Sequence, residues 1–204
     1  MIIEMRTYQL RPGALAEYEK RVEAGLPHRT QFSPLAAWWH TEIGALNRVI
    51  HLWPYESMAQ RDEVRAAALK PGVWPPDATD LVLTQESKII APAPFSPPLE
   101  PAEVGPIFEI RCYQLKPGAG PAVEALWTPM VPKRLEYSPL VLAGTTQIGA
   151  LHQWVHIWAY RDLNERGRIR AETQAAGVWA PRIGEHLVTM ENQIALPAAF
   201  SPIR

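Results

Sequence analysis

IGALNRVIHLWPY runs from Ile43 to Tyr55, and IGALHQWVHIWAY runs from Ile148 to Tyr160. The two strings are 148 − 43 = 105 positions apart, and the same offset carries EMRTYQLRPG at Glu4 onto EIRCYQLKPG at Glu109. It also carries PAPFSP, Pro92 to Pro97, onto PAAFSP, Pro197 to Pro202. Roughly 37 of 94 paired positions are identical without a gap, which is the mark of an internal duplication. A period this long points to two whole domains rather than to solenoid repeats, here residues 1–97 and 105–204. Ala91 to Pro106 holds six prolines, and 98–104 is the natural connector. Extended at about 3.1 Å per residue, the proline-rich stretch spans on the order of 45 Å, enough to cross a small domain.

Within one copy the apolar periodicity predicts the elements. IIEMRTYQL alternates and stops at Pro12 and Gly13, which reads as a strand. Leu15, Tyr18, Val22 and Leu26 recur at helical spacing. A hairpin follows from about Leu35 to Tyr55, turning near Gly44 to Asn47. Ser57 with Gln60, matched by Asp162 with Glu165, marks an N-cap with its partner three residues on, so a second helix starts there in both copies. Leu83 to Ile90 supplies the last strand.

Strand, helix, strand, strand, helix, strand in about 95 residues is the ferredoxin-like order. Such a sheet has helices on one face only, and a second copy can cover the other. The expected class is α+β: two tandem ferredoxin-like domains packed sheet to sheet.

The composition narrows the function classes. A formal charge of −1 and the lack of a long Lys or Arg run leave no footprint for nucleic acid or an anionic membrane. No apolar stretch is long enough to span a bilayer, and the N-terminus lacks a signal-peptide pattern. Cys112 is the lone cysteine, with Thr7 in its slot of the other copy, so it reads as a small core-filling residue in a reducing, cytoplasmic setting.

GALNRVIHLWPYES, the opening EMRTYQLRPG and the closing QESKIIAPAPFSP together resemble the NIPSNAP family of dimeric α/β-barrel proteins, once per half. The second copy departs from the pattern with His152 in the slot of Asn47. It is closer at Glu191 and Asn192, which match the family's Glu-Asn pair where the first copy has Glu86 and Ser87. The resemblance implies that two ferredoxin-like units form one barrel, normally by dimerisation and here by fusion, as a monomer with an internal pseudo-dimer or as a homodimer of such chains. It carries over no catalytic residues. Related barrels include monooxygenases and cyclases, but a shared fold is weak ground for a shared activity.

Alternation places His51, Trp53 and Tyr55 on one face of their strand, and His156, Trp158 and Tyr160 likewise. Arg6 and Tyr8, and Arg111 and Tyr113, share faces of the neighbouring central strands. One reading is an aromatic-walled cavity with a cationic donor, a phenol and an imidazole, suited to an anionic or phenolic small molecule, with His51 and His156 as the candidate catalytic groups. The other makes this face the seam between the two sheets, with Glu4 pairing Arg6. Periodicity leaves the phase open.

The copies differ at Ala37 to Thr41 against Leu142 to Thr146. A four-residue turn would set His40 opposite His51 and Trp38 opposite Trp53, and in the second copy Thr145 opposite His156 and Ala143 opposite Trp158. The aromatic volume missing from the second copy either forms a larger pocket or is refilled by Trp127 and Trp154, which replace Val22 and Val49. The candidate binding residues are therefore Arg6, Tyr8, His40, Trp53 and Tyr55 in the first copy. In the second they are Arg111, Tyr113, Ala143, Thr145, Trp158 and Tyr160.

No metal is expected: His152 and His156, four apart on a strand, sit about 13 Å from each other. Gly118 and Gly120 lack the rest of a dinucleotide loop, Cys112 has no evident base, and no serine sits in a nucleophile elbow. The chemistry that remains needs no cofactor, such as that of a cyclase, an isomerase or a cofactor-free monooxygenase. The competing classes are a protein-interaction scaffold and a haem protein with a histidine ligand.

Overall fold

A computed structural model describes residues 1–204. Each half runs strand, helix, strand, strand, helix, strand. The first comprises β1 (Ile2–Leu10), α1 (Leu15–Arg29), β2 (Ala37–Ile43), β3 (Arg48–Tyr55), α2 (Met58–Ala68) and β4 (Val82–Pro92). The second comprises β5 (Ile107–Leu115), α3 (Gly120–Trp127), α4 (Val131–Leu135), β6 (Leu140–Ile148), β7 (Gln153–Tyr160), α5 (Leu163–Ala175) and β8 (Leu187–Pro197). One helix of the first half becomes two short ones in the second. Pro129 stands there in the slot of Ala24, and proline removes a backbone donor and clashes with the preceding turn.

The capping signals operate as read. The Ser57 hydroxyl accepts from the Gln60 amide at 3.2 Å, and the Asp162 carboxylate from the Glu165 amide at 2.7 Å. The Gln60 and Glu165 side chains reach back to the Glu56 and Arg161 amides, so orphan donors at both helix starts are satisfied.

The eight strands close into one antiparallel barrel in the order β1-β3-β2-β8-β5-β7-β6-β4. Both junctions between halves are edge pairings, β2 with β8 and β4 with β6. Closure leaves no unpaired sheet edge. Residues 98–104 return along the chain's end, where Ala102 and Ile203 form a parallel bridge and the Val104 amide donates to the Arg204 carbonyl at 2.7 Å.

The lumen is packed solid. Ile3 and Met5 of β1, Ile50 and Leu52 of β3, and Ile110 and Ile157 across the barrel all lie in one buried cluster with Trp39 and Phe108, whose rings stack at 4.4 Å. Gly144 stands in the slot of Trp39 because β4 presses close there: a β-carbon would sit 2.3 Å from the Ala91 carbonyl oxygen. The lumen therefore holds the seam, and Glu4, Arg6 and His51 are not in it. They face outward, toward the helices, so the seam reading of the His-Trp-Tyr face is corrected.

The hairpin register also differs from expectation. Trp38 pairs with His51 and His40 with Val49, while Ala143 pairs with His156 and Thr145 with Trp154, a shift of two residues. Thr41 explains it. Its hydroxyl donates to the Ala45 carbonyl at 2.7 Å and accepts from the Arg48 amide at 3.2 Å, so a side chain takes over pairing that the strands would otherwise supply. Thr146 does the same with Ala150 and Gln153. The turn residues Asn47 (φ 56°) and His152 (φ 59°) both take the left-handed conformation, which asparagine tolerates better than most side chains.

Candidate functional site: twin clefts between sheet and helices

Each half has one cleft on the outer face of its sheet, roofed by helices and the loop after the second helix. The first has a volume of about 750 Å³ and the second about 1180 Å³. Strand alternation brings Arg6 and Tyr8 of β1 beside His51, Trp53 and Tyr55 of β3 in the first cleft. Arg111, Tyr113, His156, Trp158 and Tyr160 form the counterpart. Three expected members lie elsewhere. His40 pairs with Glu19 at 3.0 Å, and neither Ala143 nor Thr145 reaches the second cleft.

The wall beneath the clefts is a buried charge network. Glu4 is fully buried and receives Arg61 at 2.6 Å, Ser87 at 2.7 Å and Arg6 at 2.9 Å. Glu109 receives Arg111 and Arg166 at 2.6 Å and Asn192 at 3.1 Å. Ser87 and Asn192, the slot where the copies diverge, thus serve one purpose. Burial alone would raise both carboxyl pKa values. The arginine and Ser87 or Asn192 hydrogen bonds, together with the neighbouring guanidinium charges, outweigh it and lower each to about 2.

Each histidine accepts one hydrogen bond, at Nδ1. The Trp53 indole N–H donates to Nδ1 of His51 at 2.6 Å, and Trp158 to Nδ1 of His156 at 2.9 Å. An indole nitrogen can only donate, so Nδ1 must carry the lone pair and Nε2 the proton. Burial, and after it the nearby Arg6 or Arg111, push both imidazoles well below their ordinary pKa, which keeps them neutral. Both Nε2 atoms are buried and have no partner in the protein. A histidine in this state offers Nε2–H as a donor. It has no free lone pair there for a proton or for haem iron.

Sequence reasoning missed several lining residues. Arg29 and Arg134 are 3% and 1% exposed, lie over the Trp53 and Trp158 rings at 4.1 and 4.2 Å, and bond Tyr55 and Tyr160. Neither has a carboxylate within ion-pair distance, and burial lowers both pKa values from the usual arginine range. Arg65, Arg170, Trp74 and Trp179 also line the clefts. Each of these residues is identical in its paired slot, so the 105-residue offset held the signal.

In the first half Trp38 stacks on His51 with ring centroids 4.3 Å apart. In the second Ala143 removes that ring, and Trp127 covers His156 at 4.7 Å while contacting Trp154 at 5.2 Å. The missing aromatic volume beside His156 is refilled from the helix side. No three His, Cys, Asp or Glu side chains converge as a metal-ligating group, and no helix is long and apolar enough to cross a membrane.

Two ferredoxin-like units closed into one barrel within a single chain define a fused member of the dimeric α/β-barrel class. The barrel of a monooxygenase-like protein from Lactobacillus acidophilus NCFM superposes with a TM-score of 0.67 over 96% of this chain and 92% of that one, at 10% identity, a likeness of fold alone. The NIPSNAP family profile matches twice, over residues 3–97 and 108–202, and the chain belongs to that family. Among its relatives, human protein NipSnap homolog 3A is 32% identical over 216 residues, covering 98% of this chain and 85% of the human one. The Dictyostelium discoideum NipSnap homolog is 36% identical over 166 residues, 78% of this chain and 73% of its own.

Proposed function

We propose that this NIPSNAP protein binds a small hydrophobic or aromatic molecule in its clefts, without a metal, and that the second cleft is the principal site. The observation that carries this reading is the repeated set of buried donors facing aromatic walls. Buried polar groups ordinarily find partners, and an N–H left without one costs about 1–3 kcal/mol. His51 Nε2 and His156 Nε2 both bear that cost. A ligand oxygen accepting from Nε2–H removes it. With arginine, phenol and neutral imidazole in its lining, and Glu109 held by Arg111, Arg166 and Asn192, the second cleft supplies donors to an oxygen-bearing aromatic molecule but no free base. Any chemistry it performs is therefore stabilisation of developing negative charge on oxygen rather than proton abstraction by histidine.

Ligand-observed NMR with a mixed set of aromatic fragments tests this on the wild-type chain and on His51→Ala and His156→Ala. His156→Ala should weaken binding more, because the second cleft is the larger, at about 1180 Å³ against 750 Å³. His51→Ala should act mainly on stability, at about 1–3 kcal/mol. Fragments that bind wild type and both variants alike would remove the histidines from the site. An absence of any binding would favour a scaffold role.

A further inference from the structure

We infer that the second cleft is an anion site, and that its ligand is an aromatic molecule carrying two carboxylates. This rests on the proposed small-molecule reading and adds the ligand's charge. In the first half Arg6, Arg61 and Arg65 all gather on Glu4, at 2.9, 2.6 and 3.7 Å. Only Arg29 of that cleft's arginines then lacks a carboxylate. In the second half Glu109 is taken by Arg111 and Arg166. Arg134, Arg170 and Arg182 line the second cleft and none of them has an acidic partner. Arg182 occupies the slot of Asp77, since 77 + 105 = 182, so the rim charge reverses between the copies.

The three free cations lie at different depths. Arg134 is buried on the Trp158 ring, whereas Arg170 and Arg182 are exposed at the mouth. Arginine's planar fork matches a carboxylate, and a buried guanidinium gains most from a counter-charge. One carboxylate at Arg134 leaves the mouth uncompensated. A second, held across an aromatic body, reaches Arg170 and Arg182. Trp158 and Trp179, at 5.5 Å and nearly perpendicular, supply the walls for that body. The larger volume of this cleft accommodates a ligand of that length.

The test is calorimetric titration of the full chain with naphthalene-2,6-dicarboxylate and with its neutral counterpart 2,6-bis(hydroxymethyl)naphthalene. The dicarboxylate should bind at one site per chain, roughly tenfold tighter than the diol, and weaken as salt is added. Arg182→Asp should cost at least about fivefold, Arg182→Lys should retain most of the affinity, and Asp77→Asn should change nothing. Arg182 and Asp77 are both exposed, so these variants fold. A diol that binds as tightly as the dicarboxylate overturns the anion inference and leaves the small-molecule reading standing. Failure of both compounds to bind overturns both. Tightening by Asp77→Asn with no effect of Arg182→Asp moves the anion site to the first cleft and overturns the assignment.

Discussion

The indole N–H of Trp53 lies 2.6 Å from Nδ1 of His51, and that one bond settles what the histidine can do. It fixes the Nε2–H tautomer, and Trp158 imposes the same state on His156. Imidazole ¹⁵N shifts should report rings that stay neutral, with the proton on Nε2, as the pH falls below the ordinary histidine range. The folded pKa is depressed, so the unfolded chain takes up protons first. Stability contributed here is full above about pH 6.5 and declines below it. A His51 or His156 ring titrating at an ordinary value in the folded protein would contradict this.

Glu4 and Glu109, lowered to about 2, set a second acid limb. Their folded pKa values lie below the unfolded ones, so this stability is present above about pH 4.5 and is lost as pH falls toward 2. After allowance for solvent screening, each contributes on the order of 2 kcal/mol. Urea melts between pH 6 and 2 should show Glu109→Gln less stable than wild type at pH 6, by about 2–4 kcal/mol, with a shallower decline below pH 4.5. A slope equal to wild type would mean that Glu109 is not the titrating group.

Trp38 and Trp127 solve one packing problem from opposite sides, each covering the histidine of its half. Trp38→Ala should cost about 3–5 kcal/mol by leaving a hole over His51. Val22→Trp places an indole in the Trp127 slot. The double variant should recover a substantial part of the loss in chemical denaturation, a coupling that a double-mutant cycle reads directly. Additive losses would show that the two solutions cannot be exchanged.

The barrel closes within one chain, so the 22.9 kDa chain should run as a monomer in light scattering. Residues 1–104 alone would expose the edges of β2 and β4 and the apolar face built on Ile3, Met5 and Trp39. That fragment should dimerise or aggregate. A soluble, folded, monomeric half would show that the second half is not needed to cover the sheet.

Much of the site was legible in the chain. Arg6, Tyr8, His51, Trp53 and Tyr55 share a face by alternation, and their counterparts repeat at an offset of 105. Arg29, Arg65 and Trp74 were not, because they come from helices and a loop whose distance from β3 in space has no local signature. His40, Ala143 and Thr145 were misplaced because the Thr41 and Thr146 hydroxyls shift the hairpin by two residues. A side chain that replaces a ladder bond does not alter hydrophobic periodicity.

The sequence by itself determined the duplication, the order of strands and helices, and the helix caps, since each depends on residues a few positions apart. Tertiary structure decided which face of the sheet fills the lumen. Both faces are rich in large apolar side chains, Ile3, Met5, Ile50 and Leu52 on one and Tyr8, Trp53 and Tyr55 on the other, so a period of two carries no phase. The choice falls to charge. Glu4 and Arg6 ride with the second set, and their partners Arg61 and Arg65 stand on the helix that packs against that face. Placed in the lumen instead, the same charges would be cut off from those partners and buried at a cost that packing could not offset.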